Sequence, residues 1–300
     1  MLDPVHYQGL RLATRAFSTS PISSLYAEAN EPSLEKRGFV LGFVYALRIR
    51  SIPQHPTRTN AEKTRFERTF QNKPSIVPPF SKRITDAAAA MGIDPKPPVA
   101  QVSPAVAPWE YVLIRCDFTL TMHNKKDTPP EVMRQEFLEL QSHYQDHIEF
   151  YTDGTKSESC VGCSMIGPSV RQVKRINPAA TILTAELFGL LMAVDYILKK
   201  KLRLCVVYTE SLISLRALTS LELSKNPLVT ELQKKIIFAF KNNIRIALCW
   251  VPSQVGILGN EEADDSASSA REKEVEIHNV PHRDYKISLR RCIRQKWQLE

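Results

Sequence analysis

The sequence has no long apolar run. None of its stretches approaches the ~18 continuous apolar residues that cross a bilayer, and Met1-Leu2-Asp3-Pro4 carries neither the basic nor the apolar region of a signal peptide. A soluble intracellular protein, cytoplasmic or nuclear and with no membrane partner, is therefore expected. Cysteine is sparse and poorly paired. Of Cys116, Cys160, Cys163, Cys205, Cys249 and Cys292, only Cys160 and Cys163 form a CxxC. A tetrahedral zinc site needs two more ligands, and no second pair or suitably spaced histidine supplies them. Most of these cysteines sit in apolar strand-like runs, which fits reduced thiols. No internal repeat is visible, and neither Ser211 nor Ser253 has a histidine partner at a plausible spacing, which excludes nucleophilic serine chemistry.

What is present is a chain of 300 residues, 43% apolar and 24% charged, long enough to bury at least one good core. Its net charge of +8 is unevenly placed: +4 over residues 1–145, +1 over 146–272 and +3 over 273–300. The basic excess flanks a nearly neutral centre. That arrangement suits a polyanionic partner.

Apolar positions recur at helical spacing in Tyr7–Ala13 and again in Phe39–Leu47, with a break at Ser23–Leu34 in which Pro32 and Ser33 suit a helix start. Residues 1–60 are thus expected to be a helical segment. Prolines then gather in Lys73–Pro79 and Pro95–Pro104, where missing amide donors and fixed φ oppose continuous helix or central strand. The stretch 61–127 reads as a proline-rich linker, interrupted by short helices such as Arg83 to Met91. Residues 128–272 form the expected folded domain, and 273–300 a basic tail.

Within 128–272 a bracing helix runs from about Asp127 to His143. Strand patterns follow at Ile148–Lys156, Cys160–Ile166 and Val170–Ile176, the last two separated by a Gly167-Pro168 turn. Thr184–Leu198 is a strongly apolar helix closed by Lys199-Lys200-Lys201. Leu202–Tyr208 and Ile244–Trp250 are further strands, with helices between them at Leu212–Leu221 and from Asn226 to about Lys241, and a last helix from about Glu261 to Arg271. Three strands, helix, strand, helices, strand, helix gives an α/β fold with a mixed five-stranded sheet flanked by helices.

Four acids fall at strand ends or helix starts, where sites form in such sheets: Asp153, Glu186, Glu210 and Asp264. Four carboxylates brought together repel one another unless cations join them. Two hard divalent ions ~3.5–4 Å apart would activate a water and stabilise the leaving oxygen in phosphodiester hydrolysis. Lys199–Lys201, Lys234, Lys235 and Lys241 are weaker candidates for gripping phosphates, and Trp250 reads as core rather than as a stacking platform.

Tyr151–Lys156, Thr184–Leu187, Tyr208–Ser211, Trp250–Ile257 and Gly259–Asp264 resemble, in order, the motifs of type 1 ribonuclease H as found in non-LTR retrotransposon polyproteins. Upstream, Leu2–Arg11 and Leu25–Leu34 are similar to the connector that follows the reverse transcriptase core in such elements. The resemblance implies a ribonuclease H-like fold and an endonuclease that cuts the RNA strand of RNA–DNA hybrids with Mg2+, or Mn2+, in a two-ion site. It implies Asp153, Glu186 and Asp264 as metal-binding acids, and the reverse transcriptase portion of a longer polyprotein as a companion. The basic end at Lys296–Glu300 favours a fragment of such a polyprotein. No paired-aspartate polymerase motif is present.

Two positions depart from the family pattern. Glu210 stands where aspartate is usual, carrying its carboxylate about 1.5 Å further out. Gln254 stands where a histidine in the catalytic loop is usual, and an amide carries no proton at neutral pH. Neither Asp195, half a revolution around its helix from Glu186, nor Asp265, about 100° from Asp264, can substitute. The alternative expectation is a degenerate, non-catalytic ribonuclease H-like fold that only binds nucleic acid. A third makes residues 1–145 a protein-interaction scaffold.

Overall fold

A computed structural model describes residues 2–62, 67–73, 77–110, 113–122, 127–220 and 224–298. The chain divides into two compact units, one comprising Met1–Pro97 with His282–Glu300, the other Pro98–Pro281.

The first unit is helical. Its elements are α1 (Asp3–Thr14), α2 (Ile22–Ala29), α3 (Leu34–Ser51), α4 (Arg58–Glu62), α5 (Glu67–Asn72) and α6 (Phe80–Ala90), joined by the C-terminal helix, which is α12 in chain order (Tyr285–Gln298). Ser33 caps α3 as the Pro32-Ser33 pair suggests, its side chain accepting from the Lys36 amide. The expected break at Ser23–Leu34 instead contains α2, because Leu25 and Tyr26 find a core with Leu10 of α1 that local spacing does not reveal.

The second unit is built on a sheet. In chain order its elements are β1 (Cys116–Asp117), α7 (Pro130–Ser142), β2 (Ile148–Lys156), β3 (Val161–Gly167), β4 (Val170–Ile176), α8 (Ile182–Lys200), β5 (Leu204–Thr209), α9 (Leu212–Thr219), α10 (Pro227–Lys241), β6 (Arg245–Trp250), α11 (Leu258–Ser268) and β7 (Val275–Ile277). The strand order is β1-β6-β5-β2-β3-β4-β7. The β2-β3-β4 meander is antiparallel, whereas β5 pairs parallel to β2 and β6 parallel to β5.

The described sheet therefore has seven strands where five were expected. The additions are edge strands of two and three residues, β1 parallel to β6 and β7 parallel to β4. Segments this short carry no readable period, and their pairing is decided by the neighbour that offers an open edge. An isolated bridge between Val99 and Val280 joins the same unit. The compact units thus fall across the expected segments 61–127 and 273–300. Part of the proline-rich stretch and part of the basic tail belong to the sheet unit, and α12 packs on α3 with Leu289 and Ile293 buried. Pro74–Ile76 and the expected helix end at Leu221 lie outside the described residues.

Helix ends in the sheet unit follow ordinary capping chemistry. Thr181 accepts from the Thr184 amide at the start of α8, and Asn226 accepts from the Leu228 amide with Pro227 at the first position of α10. The central strand β5 is buried almost throughout, as expected of a parallel strand covered on both faces. On one face α8 buries Ala185, Leu190, Val194 and Ile197. On the other, α7 supplies Met133, Phe137 and Leu140 to a cluster with Tyr151 and Tyr208. Phe137 meets Tyr208 edge-on at 5.3 Å, and Tyr151 stacks on Tyr208 at 5.0 Å.

Candidate active site

Sheet register sets two of the four acids side by side. Thr152 pairs with Thr209 across β2 and β5, so the next residues, Asp153 and Glu210, emerge at neighbouring points of the same rim. Asp153 and Gly154 do not end the strand as expected, because pairing with β3 carries β2 on to Lys156; the glycine serves close packing instead. A Cβ at this position would lie 2.5 Å from the Glu186 backbone nitrogen and 2.8 Å from the Ala185 carbonyl carbon. Only glycine lets the first turns of α8 press onto β2, and that approach delivers Glu186 to the rim. Gly259 serves α11 in the same way, since a Cβ there would lie 2.5 Å from the Tyr151 ring. Further along α11, Ser164 Oγ of β3 donates to the Ala263 carbonyl at 2.6 Å, which fixes the turn that carries Asp264.

Burial and mutual repulsion then act on protonation. Asp153 is 5% exposed and Glu186 8%. Desolvation pushes the Asp153 carboxyl up to about 7, with the charges of Glu210 and Asp264 adding to it and the Gly154 amide partly offsetting it. Glu186 is raised well above the ordinary range, first by burial and then by Asp153, Glu210 and Asp264. Its Oε2 is buried without a hydrogen-bond partner. The structure thus brings all four expected acids into one electrostatically coupled group.

Glu210 is differently placed from the other acids. Its carbonyl oxygen accepts from Trp250 Nε1 at 2.9 Å, and its Oε1 accepts a short hydrogen bond from Asn260 Nδ2. The second carboxamide atom, Asn260 Oδ1, is buried without a partner. Sequence reading passed over Asn260, although it lies one helical turn before Asp264 and so shares its face of α11, which is the signal that points to it. Trp250, expected as core, packs partly buried against the α7 cluster and also orders the Glu210 backbone.

Gln254 is exposed, in the loop between β6 and α11, with a left-handed φ of 53°. Asp195 lies away from the group as expected, in an ion pair with Lys235 at 2.6 Å. Glu231 also engages Lys235 at 3.1 Å, and Lys241 pairs with Glu110 at 3.3 Å. Those lysines are held by acids of their own unit. Asp265 is exposed.

Among the described residues no group of three or more His, Cys, Asp or Glu side chains stands ready to hold a metal ion. The Glu210 carboxylate is turned to Asn260. The donors nevertheless suit a hard divalent cation: oxygen ligands alone, one of them a buried carboxylate oxygen without a partner, in a group whose repulsion raises its proton affinity. No helix among the described residues is long and apolar enough to cross a membrane.

The chain finds no match among curated proteins. Among solved structures, RNase H1 from the halophilic archaeon Halobacterium salinarum NRC-1 is similar at 18% identity, covering 42% of this chain and 98% of that one, with a TM-score of 0.33. The RNase H family model matches residues 145–272, the stretch that runs from the start of β2 through α11 and contains all four acids, and those residues are an RNase H domain.

Proposed function

We propose that the RNase H domain is a divalent-cation-dependent endonuclease that hydrolyses the RNA strand of RNA–DNA hybrids. The observation that carries this reading is the buried rim of Asp153 and Glu186, repelled further by Glu210 and Asp264, with Glu186 Oε2 unpartnered. A buried group of like charges is costly unless its purpose is to take up opposite charge.

Asp153, Glu186, Glu210 and Asp264 are the residues that would hold Mg2+ or Mn2+, in a two-ion arrangement. Bound there, such ions supply an acidified water and a polarised phosphoryl oxygen. The rest of the work falls to the chain. Gly154 lets the first turns of α8 press onto β2, which holds Glu186 at the rim before the substrate arrives. The raised Asp153 carboxyl must give up its proton for a cation to be held there. Gln254 can donate or accept a hydrogen bond at the substrate but moves no proton. Hybrid selection rests on backbone shape and 2′-hydroxyl contacts across a wide minor groove rather than on base reading.

The test is cleavage of a labelled hybrid by the purified protein, with magnesium and manganese side by side. Metal-dependent cleavage that disappears in Asp153→Asn supports the reading, and an intact hybrid with both metals defeats it. A second reading, a binding fold without catalysis, is favoured by the Asn260 hold on a carboxylate one methylene longer than usual. Cleavage absent in the parent and restored by Glu210→Asp with Gln254→His would establish it. We also propose a retroelement origin, on the similarity of Leu2–Arg11 and Leu25–Leu34 to a post-reverse-transcriptase connector. A reverse transcriptase frame continuous with this one at the genomic locus supports it, and a locus without such a frame counts against it.

A further inference from the structure

The helical unit carries a basic groove that the RNase H chemistry does not use. A cavity of about 640 Å³ is lined by Asn30, Arg37, Arg290, Arg291, Arg294 and Trp297. Trp297 also lines a cavity of about 570 Å³ with Tyr26 and Lys36, and Lys36 with Lys296 lines a third of about 360 Å³. The three cavities share lining residues and lie along one groove wall, between the turn joining α2 to α3 and one face of α12.

The sequence of α12 explains the groove's charge. Tyr285, Leu289 and Ile293 face inward, while Arg290, Arg291 and Arg294 are exposed, Arg294 lying about one turn beyond the adjacent pair Arg290 and Arg291. Tyr285–Gln298 contains five Lys and Arg residues and no acid. Among the described residues no ion pair engages these three arginines, whereas Glu31 at the groove is paired with Arg37 at 3.8 Å. Trp297 is half-buried and packs beside the Leu10, Leu25 and Tyr26 cluster, which holds its ring on a firm base at the groove.

We propose that this groove binds a single-stranded segment of nucleic acid, its phosphates on Arg290, Arg291 and Arg294 and one base against Trp297. The guanidinium fork matches phosphate oxygens two at a time, which a lysine ammonium cannot do. Three such groups, an adjacent pair and a third one turn on, offer more donors than a single small anion can use. An aromatic ring beside a basic track takes an unstacked base, the combination that binds single strands without sequence reading. A duplex keeps its bases stacked and offers the ring none. The volume lies within the range of sites that enclose a ligand of nucleotide size.

The experiment measures anisotropy of fluorescent oligo-dT on the full chain over a salt series. Oligo-dT is no substrate for hybrid cleavage, so the result is independent of whether the RNase H reading holds. Replacing all three arginines (Arg290→Ala, Arg291→Ala, Arg294→Ala) is expected to weaken binding at least tenfold and to lower the slope of log affinity against log salt by about 2, at roughly 0.7 per phosphate contact on a single strand. In the parent, oligo-dT is expected to quench tryptophan emission, and Trp297→Phe is expected to remove that quenching although Trp109 and Trp250 remain. This second readout also decides the matter if the triple variant does not fold. Unchanged affinity and slope in the folded triple variant, or quenching that survives Trp297→Phe, overturns the proposal. So does a triple variant that keeps oligo-dT binding but loses binding to phosphatidylserine vesicles, which would make the partner a lipid surface.

Discussion

The two units handle charge in opposite ways. The sheet unit turns acids inward, where Asp153 and Glu186 are nearly dehydrated and the charge of Asp153 adds to the proton affinity of Glu186. The helical unit turns arginines outward, where Arg290, Arg291 and Arg294 remain exposed beside a cavity. In water, like charges a few ångströms apart repel by only about 1 kcal/mol, whereas removal from water costs several kcal/mol per ion. Charge turned inward therefore shapes stability and protonation and needs a counter-ion to settle. Charge turned outward leaves the fold nearly untouched and acts only when a partner arrives.

The comparison sharpens most at Asp153. Asp153→Asn keeps the shape of the rim and removes one charge, so hybrid cleavage should fall by about a thousandfold or more, some 4 kcal/mol of transition-state stabilisation. Thermal stability in EDTA should rise at the same time, measured by calorimetry. A variant that cleaves normally would break the assignment. Gly154→Ala should come next. With 2.5 Å between the new methyl and the Glu186 amide, α8 must shift, at a cost of about 1–3 kcal/mol, seen as a lower urea midpoint and weaker cleavage together. Unchanged stability would mean that close approach does not position Glu186.

Glu210→Asp is expected to raise magnesium-dependent kcat/KM about tenfold, because the shorter side chain leaves the hold of Asn260 and sits nearer the rim. A loss of activity would show instead that the chain has adapted to the longer acid. The pH dependence of stability is a smaller effect with a definite sign. The Asp153 carboxyl binds its proton more tightly in the folded state, so without divalent ions stability should fall as pH rises from about 4 through about 7 and then level off. Glu186 pulls in the same direction. Between pH 5 and 8 the parent in EDTA should lose a few degrees of Tm, Asp153→Asn should lose less, and added Mg2+ should restore the parent. Smallest of all, neutralising Arg290 in the helical unit should move Tm by no more than about a degree at any of these pH values. A large change there would erase the contrast between the units.

Much of this was legible in the chain. Strong period-two runs at Ile148–Lys156, Cys160–Ile166 and Val170–Ile176, and the long apolar helix from Thr184, lie within a residue or two of β2, β3, β4 and α8. The four acids were legible from the pattern of elements, although only Glu210 directly follows one: Glu186 lies in the first turns of α8, and Asp153 and Asp264 sit inside β2 and α11 rather than at an end. Asn260 was legible only as a neighbour of Asp264 on one face of α11; that it holds Glu210, fifty residues away in the chain, no local pattern reports. The edge strands β1 and β7 were equally silent, since two or three residues have no period.

The sequence alone determined the order of elements from β2 through α11, the four carboxylates and the basic excess toward the end of the chain. These are properties of composition and local spacing, written residue by residue. Tertiary structure decided that Cys116–Asp117 and Val275–Ile277 extend the sheet, that Glu210 is held by Asn260, and that the arginines of α12 line a cavity beside Trp297. Each of these depends on which distant segment fills the space alongside. Packing settles that by competition among whole surfaces, and the free energy of such a contact is a property of the pair rather than of either segment.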